Sequence, residues 1–227
     1  MNAPAHIPPD LTPHLFDYDE MMAMVQAGIL PGKAGIELID GRLLMRSSDK
    51  PYRFTLSEVR QMVEVGILAE DARVELIDGE VIDMAPQNAP HMYAKHELYR
   101  TLAENLDRSF VIQIEGTLAL ANGIAPCPDI FIHSASKRVD KLTGADVLLL
   151  IEVADSSILR DLRAKAALYA RFGIADYWVV DACGRRIFIH RQPGLTGYDE
   201  VYEADRDAVV SPLAIPTLAV RVGDLPS

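Results

Sequence analysis

The stretch VLLLIEVADSS, residues 147–157, decides the fold. Four apolar residues, Leu148 to Ile151, run into Glu152, and Val153 and Ala154 follow it. A short apolar run of this kind reads as a central strand buried on both faces. An ionised carboxylate inside such a strand is costly unless it is paired, hydrogen-bonded or bound to a metal. Glu152 therefore marks a place where the chain uses charge inside its core.

The segment after it, about 158–172, reads as a helix. At about 100° per residue, Asp161, Leu162, Leu168, Tyr169 and Phe172 fall within about 60° of Lys165. Arg160, Arg163 and Arg171 fall on the opposite side and read as a solvated face. A lysine and an aspartate thus occupy the face that carries the large apolar residues. An Asp161–Lys165 pair at i,i+4 is worth only a few tenths of a kcal/mol, roughly. That accounts for the pair but not for its choice of face.

Further strands flank this centre. DYWVVD (176–181) and RRIFIHR (185–191) read as a strand pair turning at Cys183-Gly184. PDIFIH (128–133) is a short strand opening with Pro128-Asp129, and FVIQIEGTLAL (110–120) alternates as a half-buried strand. From His91 to Leu106 the apolar marks Tyr93, Leu98, Leu102 and Leu106 are helical. Residues beyond 191 read as edge strands. The expected class is α/β or α+β, a mixed sheet flanked by helices.

The N-terminal third holds an internal repeat. FDYDEMMAMVQAGILPGKAGIELIDG (16–41) aligns without gaps on FTLSEVRQMVEVGILAEDARVELIDG (54–79), an offset of 38 with 13 of 26 positions identical. Each copy reads as a helix, a GIL turn and a hairpin closed by Asp-Gly. The expected division is a lead-in at 1–15, a first copy at 16–53, and a domain at 54–227 whose own helix–hairpin unit spans 54–86. GILPGKA is not a phosphate loop: it is one residue short, Ala34 stands where Ser or Thr is needed, and a helix precedes it.

The net charge is −11, against a surface built for nonspecific nucleic-acid binding. Residues 1–86 carry 15 acids and 7 bases, and residues 87–227 carry 18 and 15. The acidity is mostly N-terminal, and a phosphate-bearing substrate remains open to the rest. Cys127 and Cys183 stand alone and read as reduced thiols, with no zinc site. No apolar run approaches a bilayer span, and the first residues lack a secretory pattern. The expected compartment is the cytoplasm.

Asp129 behind Pro128 on one strand and Glu152 on the next resemble the PD-(D/E)XK nuclease superfamily. ELIDGEVIDMAP (75–86), PDIFI (128–132), LLLIEVADSS (148–157), DLRAKAALYARFGIADYWVVD (161–181) and RRIFIH (185–190), in this order, resemble its Uma-type restriction endonuclease branch. The resemblance covers about 54–222. It departs from the superfamily signature at Ala154, where a lysine is usual; in this branch the lysine lies on the following helix, at Lys165.

The resemblance implies a restriction-endonuclease-like fold and a Mg²⁺-dependent endonuclease, with Mn²⁺ as substitute, cleaving DNA to leave a 5′-phosphate. Asp129, Glu152 and the Val153 carbonyl would hold the metal, and Lys165 would orient the attacking water and stabilise developing charge. Hard oxygen ligands suit these ions. Glu75, Gln113 or Glu115, and Asp161 are supporting candidates. A homodimer is implied. Against this stand plainer readings: Pro-Asp as a turn opening, Tyr169 and Trp178 as core packing, and His91 as a surface or capping residue. The alternative function is an inactive nuclease-fold module whose acidic N-terminal unit binds a protein partner.

Overall fold

The computed structural model describes residues 11–32, 35–154, 161–181 and 183–225, the side chain of Asp161 excepted. The chain divides into two compact units, Met1–Ala85 with Ala121–Pro126, and Pro86–Leu120 with Cys127–Ser227.

The first unit contains both copies of the repeat, and they match in detail. Helix α1 (Tyr18–Gln26) and helix α2 (Leu56–Glu64) each open with a capping box, Asp17 with Glu20 and Thr55 with Glu58. Hairpins follow, β2 (Ile36–Ile39) with β3 (Arg42–Met45) and β5 (Val74–Ile77) with β6 (Glu80–Asp83). Each turns on Asp-Gly with both residues at positive φ: Asp40 48°, Gly41 75°, Asp78 49°, Gly79 79°. These are the values that a two-residue primed turn requires.

The lead-in strands are exchanged between copies. β1 (Thr12–Pro13) precedes the first copy but pairs with β6 of the second; β4 (Lys50–Pro51) precedes the second but pairs with β3 of the first. The registers correspond at the same offset: Thr12↔Asp83 and Pro13↔Ile82, Lys50↔Met45 and Pro51↔Leu44. The two copies therefore form an internal pseudo-twofold pair with a shared core, in which Met21, Met24 and Ile36 lie with Val59, Met62 and Leu76.

In the second unit, helix α3 (Ala89–Asn105) begins at Asn88, whose side chain accepts the His91 N–H over 3.0 Å. Six strands form one mixed sheet in the order β12-β11-β10-β9-β8-β7. These are β7 (Phe110–Ile114), β8 (Ile130–Ser134), β9 (Val147–Ala154), β10 (Asp176–Asp181), β11 (Arg186–Pro193) and β12 (Tyr198–Ala204). Only β9 and β10 run parallel. A π-helical turn, Asp161–Lys165, leads into α4 (Ala166–Arg171) before β10. Short strands β13 (Val209–Val210) and β14 (Val220–Arg221) close the unit.

Alternation along β9 places the site. Leu149, Ile151 and Val153 join Ala94, Leu98 and Leu102 of α3 in one core, so Glu152 faces the other side of the sheet. β7 is shorter than its alternation predicts. It stops at Ile114 because Glu115 takes a φ of 50°, which ends the extended run. Among the described residues no helix is long and apolar enough to cross a membrane.

Candidate active site

Two carboxylates meet at one end of β8 and β9. The pairing Ile130↔Ile151 sets Asp129 opposite Glu152 in the antiparallel register. The Val153 N–H donates to Asp129 Oδ2 over 2.8 Å, tying the two strands at that point. Both side chains are buried, Asp129 at 5% and Glu152 at 3% exposure. Neither charge is tolerable there without compensation, and the structure supplies it from two directions.

From the π turn, Lys165 Nζ donates to Glu152 Oε1 at 2.8 Å, and one helical turn later the Tyr169 hydroxyl donates to the same oxygen at 2.6 Å. Lys165 is itself buried, as the helical arithmetic predicts, and Tyr169 is fully buried. Tyr169 is thus a core residue with a polar task, beyond the packing role read from its neighbours. A π turn at this position is typical of functional sites.

From α3, His91 Nε2 lies 3.0 Å and Lys95 Nζ 3.8 Å from Asp129 Oδ1, and Gln87, just before the helix, brings its Nε2 to 3.4 Å from the same oxygen. An ionised carboxylate only accepts, so Nε2 carries the proton in this pairing. Lys95 also donates to Glu115 Oε1 at 2.7 Å and to Gln87 Oε1 at 2.8 Å. Burial pushes the Asp129 carboxyl up. The His91 hydrogen bond and charge, the Val153 N–H and the Lys165 charge outweigh it and hold the group below the usual aspartate range. Asp129 is therefore anionic, the state in which a carboxylate can ligate a metal.

Asp129, Glu152, Val153 and Lys165 come together in the second unit. Glu75 lies buried in β5 of the first unit, paired in register with Ile82, while its repeat counterpart Glu37 pairs with Arg46 at 3.6 Å. Gln113 sits in β7 opposite Phe131, and its neighbour Glu115 is the residue that joins the Lys95 network. The Asp161 side chain lies outside the described residues. His91 does more than start a helix, and Lys95 went unnoticed. Its signal was available, because Lys95 falls in line with Leu98 and Leu102 on the buried stripe of α3, as Lys165 does on its own helix.

Among the described residues no group of three or more His, Cys, Asp or Glu side chains is arranged to hold a metal. The donor set that exists is two adjacent, buried carboxylates. It fits a hard divalent cation of the Mg²⁺ type, which takes one or two protein carboxylates and completes its shell with water and phosphate.

The model of the Uma2 family, described as putative restriction endonucleases, matches residues 56–223. The chain belongs to that family. A crystal structure of a putative nuclease from Anabaena variabilis superposes with a TM-score of 0.58 at 18% identity, covering 76% of this chain and 97% of that one. It shows that the restriction-endonuclease-like fold is shared. No curated protein matches the chain.

Proposed function

We propose that the second unit is a divalent-metal-dependent endonuclease that hydrolyses DNA phosphodiester bonds and leaves a 5′-phosphate. The observation that carries the reading is the contact of Lys165 with Glu152, across from Asp129. A helix lysine beside the Glu152 carboxylate supports the reading in which Lys165 takes over from the lysine that Ala154 replaces. Asp129, Glu152 and the Val153 carbonyl would hold Mg²⁺ or Mn²⁺. Such an ion, when bound, lowers the pKa of water and neutralises charge on the scissile phosphate.

The remaining work falls to the chain's own side chains. Lys165, released from Glu152, orients the attacking water and donates to the phosphoryl oxygen as charge builds there. Tyr169 keeps a hydrogen bond on Glu152 when the lysine moves. His91 and Lys95 fix Asp129 so that the two carboxylates stay in register.

A second reading has its own support. Lys165 and His91 already contact the two carboxylates, with Lys95 close to Asp129, and the whole chain is strongly acidic. Both features suit a nuclease-fold module that serves assembly. The experiment that separates them is cleavage of supercoiled plasmid, single-stranded DNA, branched DNA and RNA in Mn²⁺ and in EDTA, with Glu152→Ala purified in parallel. Metal-dependent DNA cleavage lost in the variant supports the enzyme. Equal cleavage by both proteins marks a contaminant and removes the reading.

A further inference from the structure

Among the described residues, the two copies of the first unit differ along one strand edge. On the second copy, residues 121–126, ANGIAP, dock on the outer side of β5: Ala121 and Ile124 exchange backbone hydrogen bonds across a tight turn, and Ala125, next in the chain, bridges to Leu76. Leu76 and Ala125 exchange both backbone hydrogen bonds, at 3.2 and 2.7 Å; the Gly79 N–H donates to the Gly123 carbonyl at 2.7 Å, and the Leu56 N–H to the Asn122 carbonyl at 2.9 Å. Gly123 fits closely there: a Cβ would come within 3.2 Å of Gly79 N and 3.4 Å of the Phe54 carbonyl, so a larger residue requires the neighbours to shift.

The first copy presents the same edge. Leu38 corresponds to Leu76, Gly41 to Gly79 and Phe16 to Phe54. β2 is the edge strand of its sheet, and among the described residues nothing bridges Leu38 as Ala125 bridges Leu76. The exposures differ accordingly: Ile77 is 6% exposed, its counterpart Ile39 is 47%. Leu15 and Tyr18, beside the same edge, are 60% and 52% exposed.

The charge around the two edges differs as well. Thr55 and Ser57 of the second copy are replaced by Asp17 and Asp19 in the first, both exposed. An uncharged segment suits the second edge, whereas a basic one suits the first. An open strand edge is a template for an added strand, with backbone hydrogen bonds giving affinity.

We propose that the outer edge of β2, from Leu38 to Gly41, docks a segment of a partner protein that forms a tight turn and then bridges to Leu38. That segment carries glycine opposite Gly41, a small residue opposite Leu38, and lysine or arginine at its flanks. It adds to β2 as residues 121–126 add to β5. The proposal is independent of the nuclease reading, because every residue in it lies in the first unit.

The test uses the full chain and a fluorescein-labelled peptide, KANGIAK, followed by polarisation. The expected result is saturable binding that weakens as salt rises. Ile39→Asp, a change at an exposed position, weakens it by about tenfold or more, as does N-methylation of the second alanine, which removes the N–H matching that of Ala125. Replacing the peptide glycine by valine abolishes binding. Absence of saturable binding overturns the proposal, and so does binding that Ile39→Asp leaves intact. Binding seen only after removal of residues 1–10 assigns the edge to the chain's own lead-in and overturns a partner. A concentration-dependent dimer abolished by Ile39→Asp assigns it to a second copy, with the same consequence.

Discussion

Lys165 donates to Glu152 Oε1 over 2.8 Å with both side chains all but closed to solvent. A buried pair of this kind adds little net stability compared with apolar packing, but breaking it from one side strands a charge. Lys165→Met should therefore destabilise the second unit by about 3–5 kcal/mol. The double variant Lys165→Met with Glu152→Leu should recover much of that loss. Urea unfolding of the wild type, both singles and the double measures the coupling. Additive losses would show that the pair is not energetically linked.

Tyr169 shares that oxygen, at 2.6 Å. Hydrogen bonds to charged groups contribute about 1.5–3 kcal/mol, less than an entire buried ion pair. Tyr169→Phe keeps the ring against Tyr177, whose centroid lies 5.0 Å away, and removes only the hydroxyl. The expected loss is about 2 kcal/mol by the same unfolding assay, with the order Lys165→Met above Tyr169→Phe. The reverse order would mean that Tyr169, not Lys165, holds the Glu152 charge.

His91 bears on the metal reading without requiring turnover. It contacts Asp129, not the reacting atoms, so it is a positioning residue. Loss of a residue that orients a metal ligand typically costs about 10–100-fold in metal affinity. His91→Ala should weaken Mn²⁺ binding, measured by calorimetry, by about that factor. His91→Gln, able to donate from a similar distance, should restore part of it. Unchanged affinity in His91→Ala would show that Asp129 needs no such support or is no ligand.

Much of this arrangement was legible in the residues themselves. Glu152 declares itself by interrupting an apolar run, and Lys165 by its place on a face of large apolar side chains. The duplicated helix–hairpin unit shows directly as identical residues at a constant offset. What stayed hidden depends on contacts distant in the chain. His91 reaches Asp129 across 38 positions, and neither residue's neighbours announce the other. The exchange of β1 and β4 between copies was illegible for the same reason, since a two-residue strand has no periodicity of its own. Strand β7 was read too long because Glu115 takes a positive φ that glycine or asparagine would have signalled better.

Gly66 and Gly79 of the first unit differ in what surrounds them. Gly66 and Gly79 both have positive φ, 77° and 79°, but nothing lies within 4 Å of a Cβ built on Gly66. A Cβ on Gly79 would meet Arg53 Cβ at 2.9 Å and its Cα at 3.1 Å. Gly66→Ala should cost only the left-handed strain, about 1–2 kcal/mol. Gly79→Ala should cost distinctly more, because the turn must also move off the Arg53 backbone. Thermal unfolding of the two variants tests the order, and equal losses would show that the hairpin turn yields freely.

Asp181 closes the β10–β11 turn and gives the fold an acid-sensitive contact. Burial raises its carboxyl, but the Arg186 hydrogen bond, the Gly184 and Cys183 N–H groups and the Arg186 charge outweigh burial and lower it. Arg186 lies at 2.7 Å, Gly184 N at 2.8 Å and Cys183 N at 3.1 Å. A carboxyl lowered on folding stabilises the native state above its unfolded pKa of about 3.9, and that stability is lost as pH falls through the folded value. Asp181→Asn keeps an acceptor for the two N–H groups but cannot titrate. Its melting temperature should be below wild type at pH 7, and the gap should narrow as pH drops below about 4. A gap that stays constant down to the lowest pH would show that Asp181 contributes through shape alone and not through its charge.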